Sequence, residues 1–170
     1  MNPPRTLPRM SSRKRGLTLV ELAVVIALLA LFATLATPYF ADVLARHRLR
    51  ATAETLLSDF SEARFLAAQR GQPVHVAFQQ GAAWCWVVAS TTPCDCLGTP
   101  NCRIKRTLSG DHQGVDVSAA SDARFEPEGL GRGSAELRSS RGHVLRVEVA
   151  PTGRARLCSP GGSDTRYPAC

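Results

Sequence analysis

The chain has 170 residues, 44% of them hydrophobic, and a formal net charge of +7, which is room for one ordinary domain plus an appendage. The charge is concentrated: residues 1–16 hold Arg5, Arg9, Arg13, Lys14 and Arg15 and no acid, leaving 16 basic against 14 acidic residues beyond them. Global basicity is therefore weak evidence for nucleic acid, and any such case has to rest on a local patch. There is no H-E-x-x-H, G-x-S-x-G or phosphate loop, and His47, His75, His112 and His143 lack metal-binding or triad-like spacing; no enzyme activity, metal or cofactor is expected.

The first element is "RKRGLTLVELAVVIALLALFATLATPYF". A basic cluster, Arg13-Lys14-Arg15, precedes Gly16, and largely apolar residues run from Leu17 to Thr37. About twenty such residues can cross a hydrocarbon core as a helix. The basic flank predicts that residues 1–16 stay cytoplasmic and that the rest lies outside. Glu21 interrupts the apolar run. A carboxylate in a membrane is costly and calls for a partner. If the chain is cut after Gly16, the new α-ammonium group of Leu17 supplies one, in the same chain or a neighbour's.

This stretch closely resembles the class III signal of type IV pilins and pseudopilins. The resemblance implies cleavage between Gly16 and Leu17 by a prepilin peptidase. It also implies N-methylation of Leu17, which keeps the positive charge, and an assembly role for Glu21. Pro38 falls where family members often carry a helix-kinking proline. Leu17 departs from the commoner phenylalanine.

After Pro38, Leu49, Ala53, Leu56, Leu57, Phe60, Ala63 and Ala67 mark one face of an amphipathic helix. Gly71 and Pro73 end it. One helix from about 17 to 70, kinked near Pro38, would be roughly 80 Å long at 1.5 Å per residue. From Pro73 the period becomes two. "VHVAF" (74–78), "WCWVVA" (84–89), "RIKRT" (103–107), "ARFEP" (123–127), "HVLRVEVA" (143–150) and "RARLC" (154–158) read as strands. Helices do not alternate with them, so an antiparallel sheet is expected. Trp84 and Trp86 share a strand face and are assigned to the core, with base stacking as the minor alternative.

The six cysteines are Cys85, Cys94, Cys96, Cys102, Cys158 and Cys170. An even count outside a reducing compartment reads as disulfides. The C-x-C spacing of Cys94 and Cys96 is not that of a usual zinc knuckle. Cys158 with Cys170 most simply closes a C-terminal loop. The pairing of Cys85, Cys94, Cys96 and Cys102 stays open.

"LLSDFSEARFLAAQRGQPVHVAF", "RFEPEGLGRG" and "VLRVEVAPTGRARLC" look like the FimT/GspH group of minor pilins and pseudopilins. The resemblance implies an α+β type IV pilin-like fold, with the long N-terminal helix packed on a small antiparallel two-sheet β domain. It divides the chain into a leader (1–16), a transmembrane or fibre-core half-helix (17–38), an amphipathic half-helix (39–71) and a β-rich periplasmic domain (72–170). The implied partners are other pilin subunits, the pilus assembly machinery, the prepilin peptidase and the inner membrane.

The last hairpin carries the binding expectation. With Pro151-Thr152-Gly153 as a three-residue loop, Ala150 pairs with Arg154, Glu148 with Arg156 and Arg146 with Cys158. Arg154 and Arg156 then share the outer face, about 7 Å apart along the strand, a spacing that suits successive phosphates. Glu148 competes for Arg156. Arg132, Arg138, Arg141, Arg146 and Arg166 lie near in sequence, and seven arginines face three acids over residues 131–170. FimT-like minor pilins that bind DNA during natural transformation carry a G-R-x-R motif here. The resemblance thus marks Gly153, Arg154 and Arg156 as the double-stranded DNA site, supported by Arg138, Arg141, Arg146 and Arg166. The alternatives are a GspH-like pseudopilin of a type II secretion system, and a minor pilin needed only for pilus assembly or adhesion.

Overall fold

The computed structural model describes residues 18–90, 94–96, 98, 100–162 and 164–170. The expected leader and the Gly16–Leu17 cleavage site lie outside the described residues. The chain forms two compact units, Met1–Tyr39 and Phe40–Cys170. One helix, α1 (Leu19–Arg70), contributes to both.

In the first unit, "TLVE" forms the start of the helix. The Thr18 hydroxyl accepts the Glu21 N–H at 3.2 Å, and the Thr18 carbonyl accepts the Leu22 N–H at 3.1 Å. This is the N-cap half of a capping box. It places Glu21 in the first turn, where the helix dipole favours an acid. Leu19, Val20, Ile26, Leu29 and Phe32 are exposed. With a mean hydropathy of 2.6, this stretch is long and apolar enough to cross a membrane. The helix continues through Pro38. Proline offers no N–H to the Thr34 carbonyl four residues back; the Thr37 hydroxyl donates to that carbonyl at 3.1 Å instead.

In the second unit, the rest of α1 packs on a sheet. Leu49, Ala53, Leu56, Phe60, Ala63 and Ala67 are all buried, and Leu57 is half-buried at the margin of that stripe. Phe60 meets Phe78 and Phe125 edge-on, with ring centroids 6.2 and 5.8 Å away. The strands are β1 (Val74–Gln79), β2 (Cys85–Ala89), β3 (Arg103–Leu108), β4 (Val115–Phe125), β5 (Gly131–Ser139), β6 (Val144–Val149) and β7 (Ala155–Cys158). All neighbouring pairs are antiparallel.

Two expectations need correction. The strands form one seven-stranded sheet, in the order β3-β2-β1-β4-β5-β6-β7, and not two small sheets. β1 is bonded on both edges, to β2 and through Val74–Val76 to β4, and so joins the two halves. Second, β5 and the first half of β4 are strands that the alternation pattern did not reveal. Register shifts at Val117/Ala119 and Ser121/Arg124 break β4's pairing with β5. Such bulges bend a strand and increase its twist. Gly133 sits opposite the second one, where a β-carbon would fall 2.5 Å from the Ala123 α-carbon.

Trp84 and Trp86 are buried and stack on each other, with centroids 5.4 Å apart and planes 9° apart. Their indole N–H groups donate to the Val115 carbonyl (2.8 Å) and to Asp59 Oδ2 (2.7 Å). They belong to the core and are not available to stack on a base. His112 stacks on both rings, and its Nδ1 lies 3.0 Å from the Thr52 hydroxyl.

Disulfides join Cys85 to Cys96, Cys94 to Cys102 and Cys158 to Cys170. Cys85, Val87 and Ala89 face away from the helix, yet they are buried beneath Cys94 and Cys96. At the other end, the tail carrying Cys170 covers Cys158, and Arg50 of α1 pairs with the tail's Asp164 at 2.8 Å. The outer face is therefore covered at β2 and at the end of β7, and stays open over β4, β5 and β6.

Candidate nucleic-acid interface

The β6–β7 hairpin has the expected register. Arg146 pairs with Cys158, Val147 with Leu157, Glu148 with Arg156 and Val149 with Ala155. Leu145, Val147, Val149 and Leu157 are buried, so Arg146, Glu148 and Arg156 project from the opposite, outer face. The turn closes with Gly153 N–H donating to the Ala150 carbonyl (2.7 Å) and Ala150 N–H donating to the Arg154 carbonyl (2.9 Å).

Gly153 is buried and takes φ +70. A β-carbon on it would stand 2.1 Å from the Gly129 carbonyl oxygen and 3.1 Å from Arg64 Nε. Only glycine fits this conformation and this approach. The turn is docked on the loop between β4 and β5 at Gly129 and on the start of β5, where Gly131 N–H donates to the Pro151 carbonyl at 3.3 Å. Arg64 of α1 is a neighbour of the hairpin that sequence spacing alone could not find.

The arginines differ in how far they are occupied. Arg156 forms an ion pair with Glu148; its Nε donates to Glu148 Oε1 at 2.6 Å, and its side chain remains 61% exposed. Arg146 Nη2 pairs with Glu136 Oε2 at 2.9 Å, and this bond holds the Glu136 carboxyl below the usual carboxylate range. Arg124 pairs with Glu126 at 2.6 Å. Arg154 and Arg132 are exposed and form no ion pair among the described residues.

Not all of the expected cluster comes together. Arg154, Arg156 and Arg146 stand on one outer face. Arg138 and Arg141 lie at the far end of the β5–β6 hairpin, with Arg138 opposite Val144, some 20 Å from the start of β5 at about 3.3 Å per residue. Arg166 sits on the tail, its backbone N–H donating to Asp164 Oδ1 at 3.1 Å. Among the described residues, no group of three or more His, Cys, Asp or Glu is placed to hold a metal.

A largely apolar half-helix, continued by a half-helix packed on an antiparallel sheet, is the type IV pilin architecture. Residues 52–164 match the family described as type II transport protein GspH, and residues 11–37 match the prokaryotic N-terminal methylation motif. The chain belongs to the GspH family, in the type IV pilin-like group of minor pilins and pseudopilins. Among solved structures it is similar to the type IV minor pilin FimU of Pseudomonas aeruginosa (strain PAO1). That likeness has 13% identity and a TM-score of 0.51, covers 68% of this chain and 95% of that one, and is a likeness of fold. Comparison with curated proteins gives no match. The two family matches imply other pilin-like subunits as partners and processing by a prepilin peptidase.

Proposed function

We propose that this subunit is a minor pilin of a type IV pilus that binds double-stranded DNA without sequence preference and so supports uptake in natural transformation. The observation that carries the reading is Arg154, exposed at the hairpin tip with no acid partner among the described residues, beside an Arg156 that stays exposed despite its ion pair. A guanidinium presents a planar fork of donors suited to phosphate oxygens. Phosphate contacts position a duplex without reading its sequence.

In this reading the chain is cut between Gly16 and Leu17 and methylated on Leu17. Residues 17–38 anchor it in the inner membrane, with the β-rich part in the periplasm. The same helix then enters the fibre, where Glu21 neutralises the new terminal amine and Pro38 kinks the helix. The match to type II transport protein GspH over residues 52–164 favours a second reading, a structural pseudopilin of a secretion system. Gene neighbourhood separates the two: competence or pilus genes support the first, secretion genes the second.

The direct test uses residues 40–170, a compact unit whose core residues all lie within it. Duplex-DNA binding is measured at two salt concentrations for the wild type and for Arg154→Gln combined with Arg156→Gln. Loss of binding in the variant supports the site. Equal binding by both proteins, or none by the wild type at low salt, overturns it.

A further inference from the structure

The motif pairs two arginines along β7, but the sheet places a different pair side by side. Arg124 on β4 stands opposite Arg132 on β5. Gly133 and Val149 are the last antiparallel pair of β5 and β6, and beyond them Gly131 bridges Thr152 with its N–H reaching the Pro151 carbonyl, which brings Arg132 beside Ala150. Ala150 N–H in turn donates to the Arg154 carbonyl. Arg124, Arg132, Ala150 and Arg154 thus form one row across four chain segments. Ala123 and Phe125 beside Arg124 and Val149 beside Ala150 are buried, and Ala155 beside Arg154 is half-buried, so the row faces outward. At about 4.8 Å per strand, Arg132 and Arg154 stand about 10 Å apart, with Ala150 on the segment between them.

The distribution of ion pairs separates this row from β7. Arg156 is bound to Glu148, Arg146 to Glu136 and Arg124 to Glu126. Arg132 and Arg154 have no such partner among the described residues. Glu148 is one register step away from both, and Arg156 occupies it.

We infer that the phosphate track runs across the strands through Arg132 and Arg154, over Ala150, and not along β7 through Arg154 and Arg156. This rests on the DNA-binding reading and deepens it: Arg132 becomes a phosphate contact, and Arg156 serves mainly to neutralise Glu148. Each phosphate contact adds about 0.9 to the slope of log affinity against log salt.

The test measures that slope for residues 40–170 with duplex DNA. Arg132→Gln is expected to lower the slope by about one and to weaken low-salt binding about five- to tenfold. The charge-neutral pair Arg156→Gln with Glu148→Gln is expected to keep the wild-type slope. As a check independent of Arg132, Ala150→Glu should abolish binding while Ala150→Gln weakens it little, with thermal unfolding confirming that each variant is folded. An unchanged slope in Arg132→Gln, or a lost contact in the charge-neutral pair, overturns the cross-strand track. Failure of the wild type to bind at low salt overturns the DNA reading itself, which is a separate outcome.

Discussion

Gly153 takes φ +70 with the Gly129 carbonyl where a β-carbon would go. Its place in the G-R-x-R stretch is therefore explained by the backbone before any ligand is considered. Gly153→Ala combines a left-handed conformation with overpacking, and is expected to cost roughly 2–4 kcal/mol in chemical denaturation. A stability equal to wild type would refute the docked-turn geometry. Lost DNA binding in that variant would report on folding, whereas Arg154→Gln changes an exposed side chain and tests contact. His112 shows a second residue-scale effect. Burial against Trp84 and Trp86 lowers its pKa from the ordinary value of 6.5, with Asp111 and Asp59 opposing the shift. The folded state thus binds the proton less readily than the unfolded chain. Its stability is complete above about 6.5 and is lost as pH falls through the folded pKa. His75, lowered chiefly by desolvation, acts in the same window. The thermal midpoint should fall between about pH 7 and pH 5, and His112→Phe should remove part of that fall while keeping a ring on the stack. A pH profile unchanged by the substitution would contradict this.

At the scale of elements, Asp59 locks α1 to two strands. It is fully buried; Oδ2 accepts the Trp86 indole N–H at 2.7 Å, and Lys105 Nζ lies 2.6 Å from Oδ1. Lys105 also reaches Glu62 at 3.1 Å, and its pKa is raised first by the Asp59 hydrogen bond. Asp59→Ala strands a buried indole donor and should cost about 1–3 kcal/mol. Asp59→Asn, which can still accept that bond, should cost less; equal losses would mean that the charge, and not the hydrogen bond, holds the contact. Sequence spacing alone identified the apolar stripe of α1, because Leu49, Leu56, Phe60 and Ala63 repeat at helical intervals. It did not identify Asp59 or Thr52, polar residues on the same buried face, since their partners come from strands and loops far along the chain. The β6–β7 register was readable because Leu145, Val147 and Val149 alternate cleanly up to a glycine turn. Strand β5 was not: "GRGSAELRS" contains two glycines and only Ala135 and Leu137 as buried apolar markers. The first half of β4 is obscured by its bulges and by the exposed small residues between them. Without β5, Arg132 had no face, and the hairpin arginines could be arranged only along their own strand.

For the whole molecule, the proposed DNA binding would have its strength set by charge and available surface. Most of the net +7 belongs to residues 1–16, and the remaining 16 basic and 14 acidic residues nearly balance. Much of that balance is local, as in the pairs Arg156–Glu148, Arg146–Glu136 and Arg124–Glu126. Disulfide-closed segments cover the outer face at β2 and at the end of β7, leaving a short open strip. A strip of that size offers two or three arginines to phosphates. At about 0.9 per contact, residues 40–170 should show a log–log salt slope between roughly −1.8 and −2.7. Between about 50 and 200 mM salt, affinity should then fall roughly 10- to 40-fold. A duplex lying on the wider basic perimeter, including Arg138 and Arg141 at the far end of the β5–β6 hairpin, would give a steeper slope. Fluorescence anisotropy with one duplex at four salt concentrations measures it. A slope steeper than about −4 would mean that the duplex uses surface beyond the strip, and a slope near zero would mean that arginine–phosphate contact is not what binds it. On the proposed reading, weak single-subunit affinity is sufficient in a fibre, since several subunits engaging one duplex would multiply their effect through effective concentration. Tethering two copies of residues 40–170 should accordingly strengthen binding to a long duplex far more than to one only about ten base pairs long.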